Sequence, residues 1–332
     1  MPNTLTIERI TAENVDRVRE LYEDFRAKAT TDYEYGNPPV EFLLFIEDIQ
    51  NKTLEGVAAF DGSVAAGILI YTLDKYGVIE INVIHPAEGQ DETAVRFAIL
   101  KELVARLKER QDWNVISYPM LGRQETFIRD IALLNFKFVG QSIVRFDFLS
   151  PIALRVFRNS VIPELGDYKL SIWNENYREE AIQLINNSFK NTKNTYFDPR
   201  FATYEGAAEV VEMIVSGQYG EFLPEHCRLL LLEGNLEGLC LAVKLTDSVV
   251  NVPLVAVKKN IRNKGMGKLL LKSVVGSFIR LIAENKISLT EINATADTDN
   301  YPAVRMYRAI GFKEVYFYAH AYLKRLTCPH TD

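Results

Sequence analysis

The chain has 332 residues, 48% of them hydrophobic and 25% charged, with a formal net charge of -6 at pH 7. That length is comfortable for two domains, the composition is that of an ordinary globular protein, and an acidic excess without an evident basic face excludes nucleic acid as a bulk partner. Cys227, Cys240 and Cys328 lack metal-like spacing, no apolar run approaches the ~18 residues of a membrane span, and residues 1–9 show no charged-then-apolar leader; the expectation is a cytoplasmic protein with no metal and no membrane partner.

In chain order, Leu5-Thr6-Ile7 predicts a short strand and residues 12–28 an amphipathic helix. Residues 58–67 read as strand, turn, strand about Asp61-Gly62, followed by a strand at 80–84, a helix at 93–110 and a strand from Asn135 to Val139. Residues 155–166, with Pro163 and Gly166, read as a linker. The same order then recurs: Leu170-Ser171-Ile172, a helix at 175–189, a hairpin about Gly234-Asn235, a strand at 251–257, a helix at 268–285, and a last strand starting at Gly311-Phe312. The offset between copies grows from 165 (Leu5 to Leu170) to 176 (Asn135 to Gly311), as loop insertions in a duplicated unit would produce. Strands 228–232 and 239–245 are expected to be antiparallel, and 253–257 and 290–296 parallel, joined by the long helix. The fold class is α/β with a mixed (α+β) sheet and helices on both faces.

One junction carries chemistry. Arg262-Asn263-Lys264-Gly265-Met266-Gly267 stands where a strand gives way to a helix. Two glycines let the backbone turn tightly there, the free N–H groups and dipole of the new helix favour an anion, and Arg262, Lys264 and Lys268 add positive charge. The alternatives are a pyrophosphate cradle and a plain helix start. Some thirty residues on, a polar loop ending at Asn300 leads through Pro302 into a short helix with Tyr307, then to Gly311 at the expected C-cap.

Together these segments, R-x-x-G-x-G and N-x-x-A-x-x-x-Y-x-x-x-G-F, resemble motifs A and B of the GNAT superfamily of N-acetyltransferases, over roughly residues 170–323. The resemblance implies two tandem GNAT-like domains: a degenerate one at 1–155 without the cofactor motif, and an acetyl-CoA-binding one at 156–332. In the first copy Gly89, Glu92 and Ala94 fall in register with Arg262, Gly265 and Gly267, with Glu88 and Asp91 nearby. Negative charge there repels a pyrophosphate. Ile131 stands at the Tyr307 position and Gln124 at the Asn300 position, so this copy is expected to be structural or substrate-shaping.

The same resemblance implies roles. The backbone N–H of Val257 would meet the thioester carbonyl and stabilise charge on its oxygen, while its side chain packs in the core. Val255 would offer backbone groups to the pantetheine, and Arg262, Asn263, Lys264, Gly265, Met266, Gly267 and Lys268 would hold the pyrophosphate. Asn300 would contact the pantetheine or a water, or else serve only as a helix cap. Tyr307 would protonate the departing thiolate, its other reading being a half-buried aromatic. No carboxylate stands on the strand before motif A, where Asn251, Val252 and Pro253 lie; Asp247, Glu221, Glu225 and His226 are the nearby alternatives for a general base. Residues 191–222, with Tyr196, Phe197, Tyr204, Tyr219 and Phe222, fall where the family binds its acceptor. The implied activity is acetyl transfer from acetyl-CoA, a cosubstrate, to an amine of a small molecule or peptide, directly within a ternary complex, by a monomer or homodimer. The alternative is a non-catalytic acyl-CoA-binding sensor or partner module.

Overall fold

The computed structural model describes residues 5–325 apart from residues 34, 36, 37 and 123, so Cys328 lies outside the described residues. In chain order the elements are β1 (Thr6–Arg9), α1 (Arg19–Asp32), α2 (Phe42–Asn51), β2 (Glu55–Asp61), β3 (Val64–Leu73), β4 (Val78–Pro86), α3 (Glu92–Leu107), β5 (Val115–Pro119), α4 (Glu125–Ala132), β6 (Lys137–Asp147) and α5 (Pro151–Asn159). There follow β7 (Tyr168–Ser171), α6 (Arg178–Phe189), α7 (Tyr204–Val215), β8 (Glu221–Phe222), β9 (Arg228–Leu232), β10 (Asn235–Cys240), β11 (Val243–Thr246), β12 (Val249–Asn251), β13 (Val255–Val257), α8 (Met266–Ala283), β14 (Glu291–Asp297), α9 (Tyr301–Ala309) and β15 (Lys313–Lys324). No helix among the described residues is long and apolar enough to cross a membrane.

Two compact units form. Unit 1 comprises residues 1–139, 196–198 and 318–332; unit 2 comprises residues 140–195 and 199–317. In unit 1 the strands run in the order β1-β2-β3-β4-β5-β15. All neighbours are antiparallel except β4 and β5. Helix α3 buries Val95, Ile99, Leu100, Leu103 and Leu107, a spacing of three and four that makes one apolar face. On the other side, Tyr22, Phe25, Phe42 and Phe45 of α1 and α2 pack with Ile68, Ile70 and Val83.

Unit 2 contains two sheets, β6-β14-β12-β11-β8 and β13-β10-β9-β7. Its core joins α6, α7 and α8 to both through Ile185, Val211, Leu270, Val274, Leu239 and Ile292, all essentially inaccessible. Two apolar runs cross from one sheet to the other. The run expected as one strand at 239–245 breaks between β10 and β11, and the run at 251–257 breaks between β12 and β13. The expected parallel pairing of 253–257 with 290–296 therefore takes another form. Val249, Val250 and Asn251 pair with Glu291, Ile292 and Asn293, Val252 N–H donates to Asn293 O at 2.8 Å, and the pairing ends there, just before Pro253.

Three further expectations are corrected. The boundary at 155 does not divide the units, because Gln141–Asp147 of β6 pair with β14 in unit 2 while His320–Lys324 of β15 pair with β5 in unit 1. The linker expected at 155–166 begins inside α5, which Ser150 caps by accepting from Ala153 N–H and which Pro151 starts. The hairpin turn expected at Gly234-Asn235 is centred on Glu233 and Gly234, whose φ of 51° and 84° match the positive-φ pair of a type I′ turn.

Gly311 ends α9 at a φ of +106°, and a Cβ there would stand 2.7 Å from Ala153 O and 3.0 Å from Phe146 Cε2. Gly311→Ala is expected to lower stability by about 2–4 kcal/mol, combining backbone strain with a clash against α5. The urea midpoint measures this; an unchanged midpoint would show that the α5 contact yields freely.

Candidate active site

The end of the β12/β14 pairing opens a fork in unit 2. Beyond it, β13 pairs with β10 alone, Val255 opposite Cys240 and Val257 opposite Gly238. Lys258 N–H donates to Glu237 O at 2.8 Å and Leu241 N–H donates to Leu254 O at 2.9 Å. Hydrogen bonding alternates along an antiparallel strand, so residues 254, 256 and 258 serve β10 and the N–H groups of Val255 and Val257 turn to the unpaired edge. The backbone donors that the resemblance assigned to a thioester and a pantetheine are thus free of sheet partners. The Val257 side chain packs inward, where a Cβ on Gly238 would meet its Cγ1 at 2.9 Å and Leu270 Cδ1 at 3.0 Å.

At the far end of β13 the chain turns into α8 through two left-handed residues, Asn263 at φ 61° and Gly265 at φ 82°. Gly265 is the N-cap and supplies no side-chain acceptor; the first helical bond is Leu269 N–H to Gly265 O at 3.0 Å. The preceding N–H groups of the helix thus lack intrahelical partners. Arg262, Asn263 and Lys264 are exposed around them and Lys268 is half-buried; the Arg262 Nε–H donates to Val257 O at 3.3 Å. A cradle of open N–H groups, a left-handed glycine and three cations is the arrangement a pyrophosphate needs. Met266 is buried beneath it.

Helix α9 meets the same place. A Cβ on Gly267 would stand 3.1 Å from Met306 Sδ, so this glycine lets α8 and α9 approach. Asn300 is the α9 N-cap, its Oδ1 accepting from Ala303 N–H at 3.2 Å; that leaves its Nδ2 for another partner. Tyr307 is 5% exposed, its ring 5.2 Å from that of Phe312. Burial, with the Cys240 thiol adding to it, pushes its hydroxyl well above the ordinary tyrosine value. The group is therefore held protonated, as an acid must be.

The N-terminal counterpart is closed. Asp91 caps α3, its Oδ1 accepting from Ala94 N–H at 3.0 Å, with Glu92 in the first turn. Matching the helix starts sets Asp91, and not Glu92, against Gly265, one residue from the register expected for Gly89, Glu92 and Ala94. A resident carboxylate takes up the N–H that unit 2 leaves open. Gln124 and Asn300 are both N-caps, and Ile131 and Tyr307 both the seventh residue of their helices.

On the acceptor side, Asn251 Nδ2 donates to Asn293 Oδ1 at 2.6 Å across the last paired rung. His226 lies elsewhere: its Nδ1 is 2.9 Å from Ser277 Oγ, ten residues and so ~15 Å along α8 from Gly267. Glu221 pairs with Lys244 at 2.9 Å. Of the aromatic residues, Tyr204 donates to Glu179 and Phe222 packs edge-on to Trp173. Tyr196 and Phe197 belong to unit 1, Phe197 stacking on His320 with ring centroids 4.0 Å apart. Sequence reasoning missed Asp297, which ends β14 just before α9 and accepts from Gln141 Nε2 at 2.7 Å. Its position beside Asn300 was a usable signal. Burial is the main cause that raises its carboxyl above the ordinary value. Among the described residues no group of His, Cys, Asp and Glu is arranged to hold a metal.

Residues 179–312, nearly all of them in unit 2, match the model of the Acetyltransferase (GNAT) family. Comparison with curated proteins gave no match. Across the whole chain the fold is that of tandem GNAT proteins. A tandem GNAT protein from the clavulanic acid biosynthesis pathway superposes with a TM-score of 0.58 at 13% identity, covering 97% of this chain and 98% of its own. A GCN5-related N-acetyltransferase from Sphaerobacter thermophilus gives a TM-score of 0.62 at 15% identity, covering 98% and 96%. A glucosamine N-acetyltransferase region of a fungal multi-domain GH3 β-N-acetylglucosaminidase gives 0.58 at 10%, covering 97% of this chain, which spans 38% of that longer one.

A carboxyl raised in the folded state contributes its stability fully below its unfolded value and loses it as pH rises through the folded one. Asp297→Asn, which cannot ionise, is therefore expected to raise the melting temperature at neutral pH, with the gain shrinking below roughly pH 4. Melting curves across that range check it; a variant less stable at neutral pH would show that the Gln141 bond, which favours the charged form, outweighs the burial.

Proposed function

We propose that unit 2 is an acyl-CoA-dependent N-acyltransferase that moves an acetyl group from acetyl-CoA to the amine of a small molecule or peptide, directly, in a ternary complex. One observation carries this reading: the unpaired edge of β13 is followed, across one short 3-10 turn, by the glycine-led N-terminus of α8, which has no side-chain cap. An extended amide-bearing arm matches the first through strand-like hydrogen bonds, and a pyrophosphate matches the second. Acetyl-CoA supplies the activated acyl group. Val255 and Val257 bind and orient the arm and the thioester carbonyl, residues 262–268 hold the phosphates, and Asn300 Nδ2 is free to donate to the arm. Tyr307 holds a proton for the leaving sulfur. Asp297 offers a carboxylate of raised basicity to accept the proton of the incoming ammonium, since no carboxylate stands at 251–253. The buried free thiols of Cys227 and Cys240 fit a reducing, cytoplasmic setting.

A non-catalytic acyl-CoA sensor is the second reading, favoured by the Asn251–Asn293 amide pair where a base could have stood. Thiol release from acetyl-CoA against a panel of amines separates the two: turnover supports the transferase, and binding without turnover of any amine supports the sensor.

Gly265→Glu sets a carboxylate at the cradle and is expected to abolish acetyl-CoA binding in calorimetric titration, with one site per chain in the wild type. Micromolar affinity retained in a folded variant would remove the cradle. Tyr307→Phe keeps the ring but loses the O–H; acetyl-CoA affinity should hold while kcat falls by roughly 10²–10⁴-fold. An unchanged kcat, measured where chemistry limits the rate, would leave thiolate protonation to water.

A further inference from the structure

The strands that carry the fork of unit 2 present one buried face and one open face. Along β14, Ile292, Ala294 and Ala296 are buried in the core with Leu270 and Val274 of α8, whereas Asn293 and Asp297 are half-buried and Thr295 is exposed. Side chains alternate along a strand, so these last three share the face turned from α8. The register sets Asn251 of β12 beside Asn293, and on the other side Arg145 and Gln141 of β6 beside Asn293 and Asp297.

This face is polar, open and net negative. Asn251 Nδ2 is taken by Asn293 Oδ1 at 2.6 Å. Asn251 Oδ1, Asn293 Nδ2 and the Thr295 hydroxyl make no hydrogen bond to any described residue. The three are an acceptor, a donor and a group that is both. Arg145 pairs with Glu291 at 2.9 Å. Opposite Asp297 stands Gln141, and opposite Asp147 stands Glu291, so these two carboxylates face no cation across the strands. Ile143 and Val249 are the apolar members at the margins, and none of the residues that the three strands give to this face is aromatic.

Counted on from the Asn251–Asn293 rung, Val255 falls level with Asp297. The thioester that the transferase reading sets on β13 therefore stands across the gap from the Asp297 end of this face. Unit 1 lacks the arrangement. There β4 pairs with β5 only over Val78–Glu80, and Ser117 ends the pairing as Asn293 does. Two and four residues on, Pro119 and Leu121 stand where unit 2 has Thr295 and Asp297. The Ser117 hydroxyl itself is taken by His320, at 2.8 Å.

We propose that the open face is the acceptor floor of unit 2 and that the acceptor is a hydroxylated amine, of the chemical class of an amino sugar. This rests on the transferase reading and narrows it. The ammonium meets Asp297. Hydroxyls of the same ring meet Thr295, ~6.6 Å away along β14, and a second ring reaches the Asn251–Asn293 pair, ~13 Å away. Neighbouring hydroxyls, each donor and acceptor at once, match the unmatched groups, and the negative face draws the ammonium. A peptide is held through strand edges or apolar pockets. The edges at the fork face the gap that the donor's arm takes, and the floor has no apolar pocket. An ammonium and a thioester become an amide, a thiol and one proton. The N–C bond forms and the C–S bond breaks; of two protons leaving nitrogen, one is matched at sulfur through Tyr307 and one reaches solvent through Asp297.

The test is calorimetric titration of the full chain, with and without saturating CoA, using glucosamine, glucose, cyclohexylamine and trialanine. Glucosamine is expected to bind roughly tenfold or more tightly than cyclohexylamine, which keeps a ring and an amine without hydroxyls, or than trialanine. Glucose, without the amine, should also bind more weakly. Thr295→Val keeps the shape and suits a strand. It should lower the ratio of kcat/KM for glucosamine over cyclohexylamine by roughly 3–10-fold, a ratio that partial loss of folded protein leaves unmoved. Selective glucosamine binding without thiol release supports the ligand class and overturns the transferase reading. Thiol release as efficient with cyclohexylamine or trialanine as with glucosamine supports the transferase and overturns the hydroxylated class. No binding of glucosamine, or an unmoved ratio in Thr295→Val, overturns the floor.

Discussion

The parallel pairing that stops after three rungs is the constraint on which the rest of unit 2 depends. Val252 makes the last contact with β14, at Asn293 O, and at Pro253 the strand turns away to join β10. From Leu254 onward the strand has one edge saturated by β10 and one edge open. Backbone N–H and C=O groups demand partners wherever water is scarce, so an open edge inside a fold is either covered or reserved for a ligand. Here the open edge points at a helix start whose own N–H groups are also unmet. Two unmet sets of donors, one strand-like and one anion-seeking, fit the ligand proposed for unit 2, with an amide-bearing arm and a phosphate head.

Both units carry the fork, and they resolve it oppositely. In unit 1 the strand stays in one sheet and is only bulged at Asn82, and Asp91 caps the helix. In unit 2 the strand leaves for a second sheet and glycine leads the helix. A helix N-terminus carries the equivalent of about half a positive charge within its first turn. Asp91 and Glu92 neutralise that field in α3, whereas Arg262, Lys264 and Lys268 add to it in α8. The difference in capping and charge between the two helix starts is thus confined to a handful of residues on a shared backbone plan.

That locality decides what could be read from the sequence. Glycines at positive φ, N-cap residues and the Pro-to-Gly punctuation of α9 act over three or four residues, so the glycine-led start of α8, the Asn300 cap and the short helix carrying Tyr307 were legible as written, and so was the repeated order of elements. The breaks at 241–242 and 252–254 were not. Leu239, Cys240, Leu241, Ala242 and Val243 are all fully buried, and an apolar run buried on both faces shows no period from which a change of sheet could be inferred. Only Pro253 gave a hint. The unit boundary was hidden for another reason: β6 and β15 pair with strands far away in sequence, and pairing register is a property of two segments that neither carries alone. The helix start at Ser150-Pro151, by contrast, was a local signal that the linker reading overlooked.

The buried polar groups were the least legible part, and they differ in kind from the motifs. Asp297, Arg96 and Asn82 each sit on an element whose sequence pattern is accounted for without them. What marks them is the environment: a carboxyl raised by burial, a buried guanidinium whose Nε has no hydrogen-bond partner, an amide oxygen with none. Desolvation makes such groups expensive, and a fold retains the expense only where another gain offsets it. In unit 2 the gain we propose is a base of raised affinity for protons, Asp297, at the end of β14.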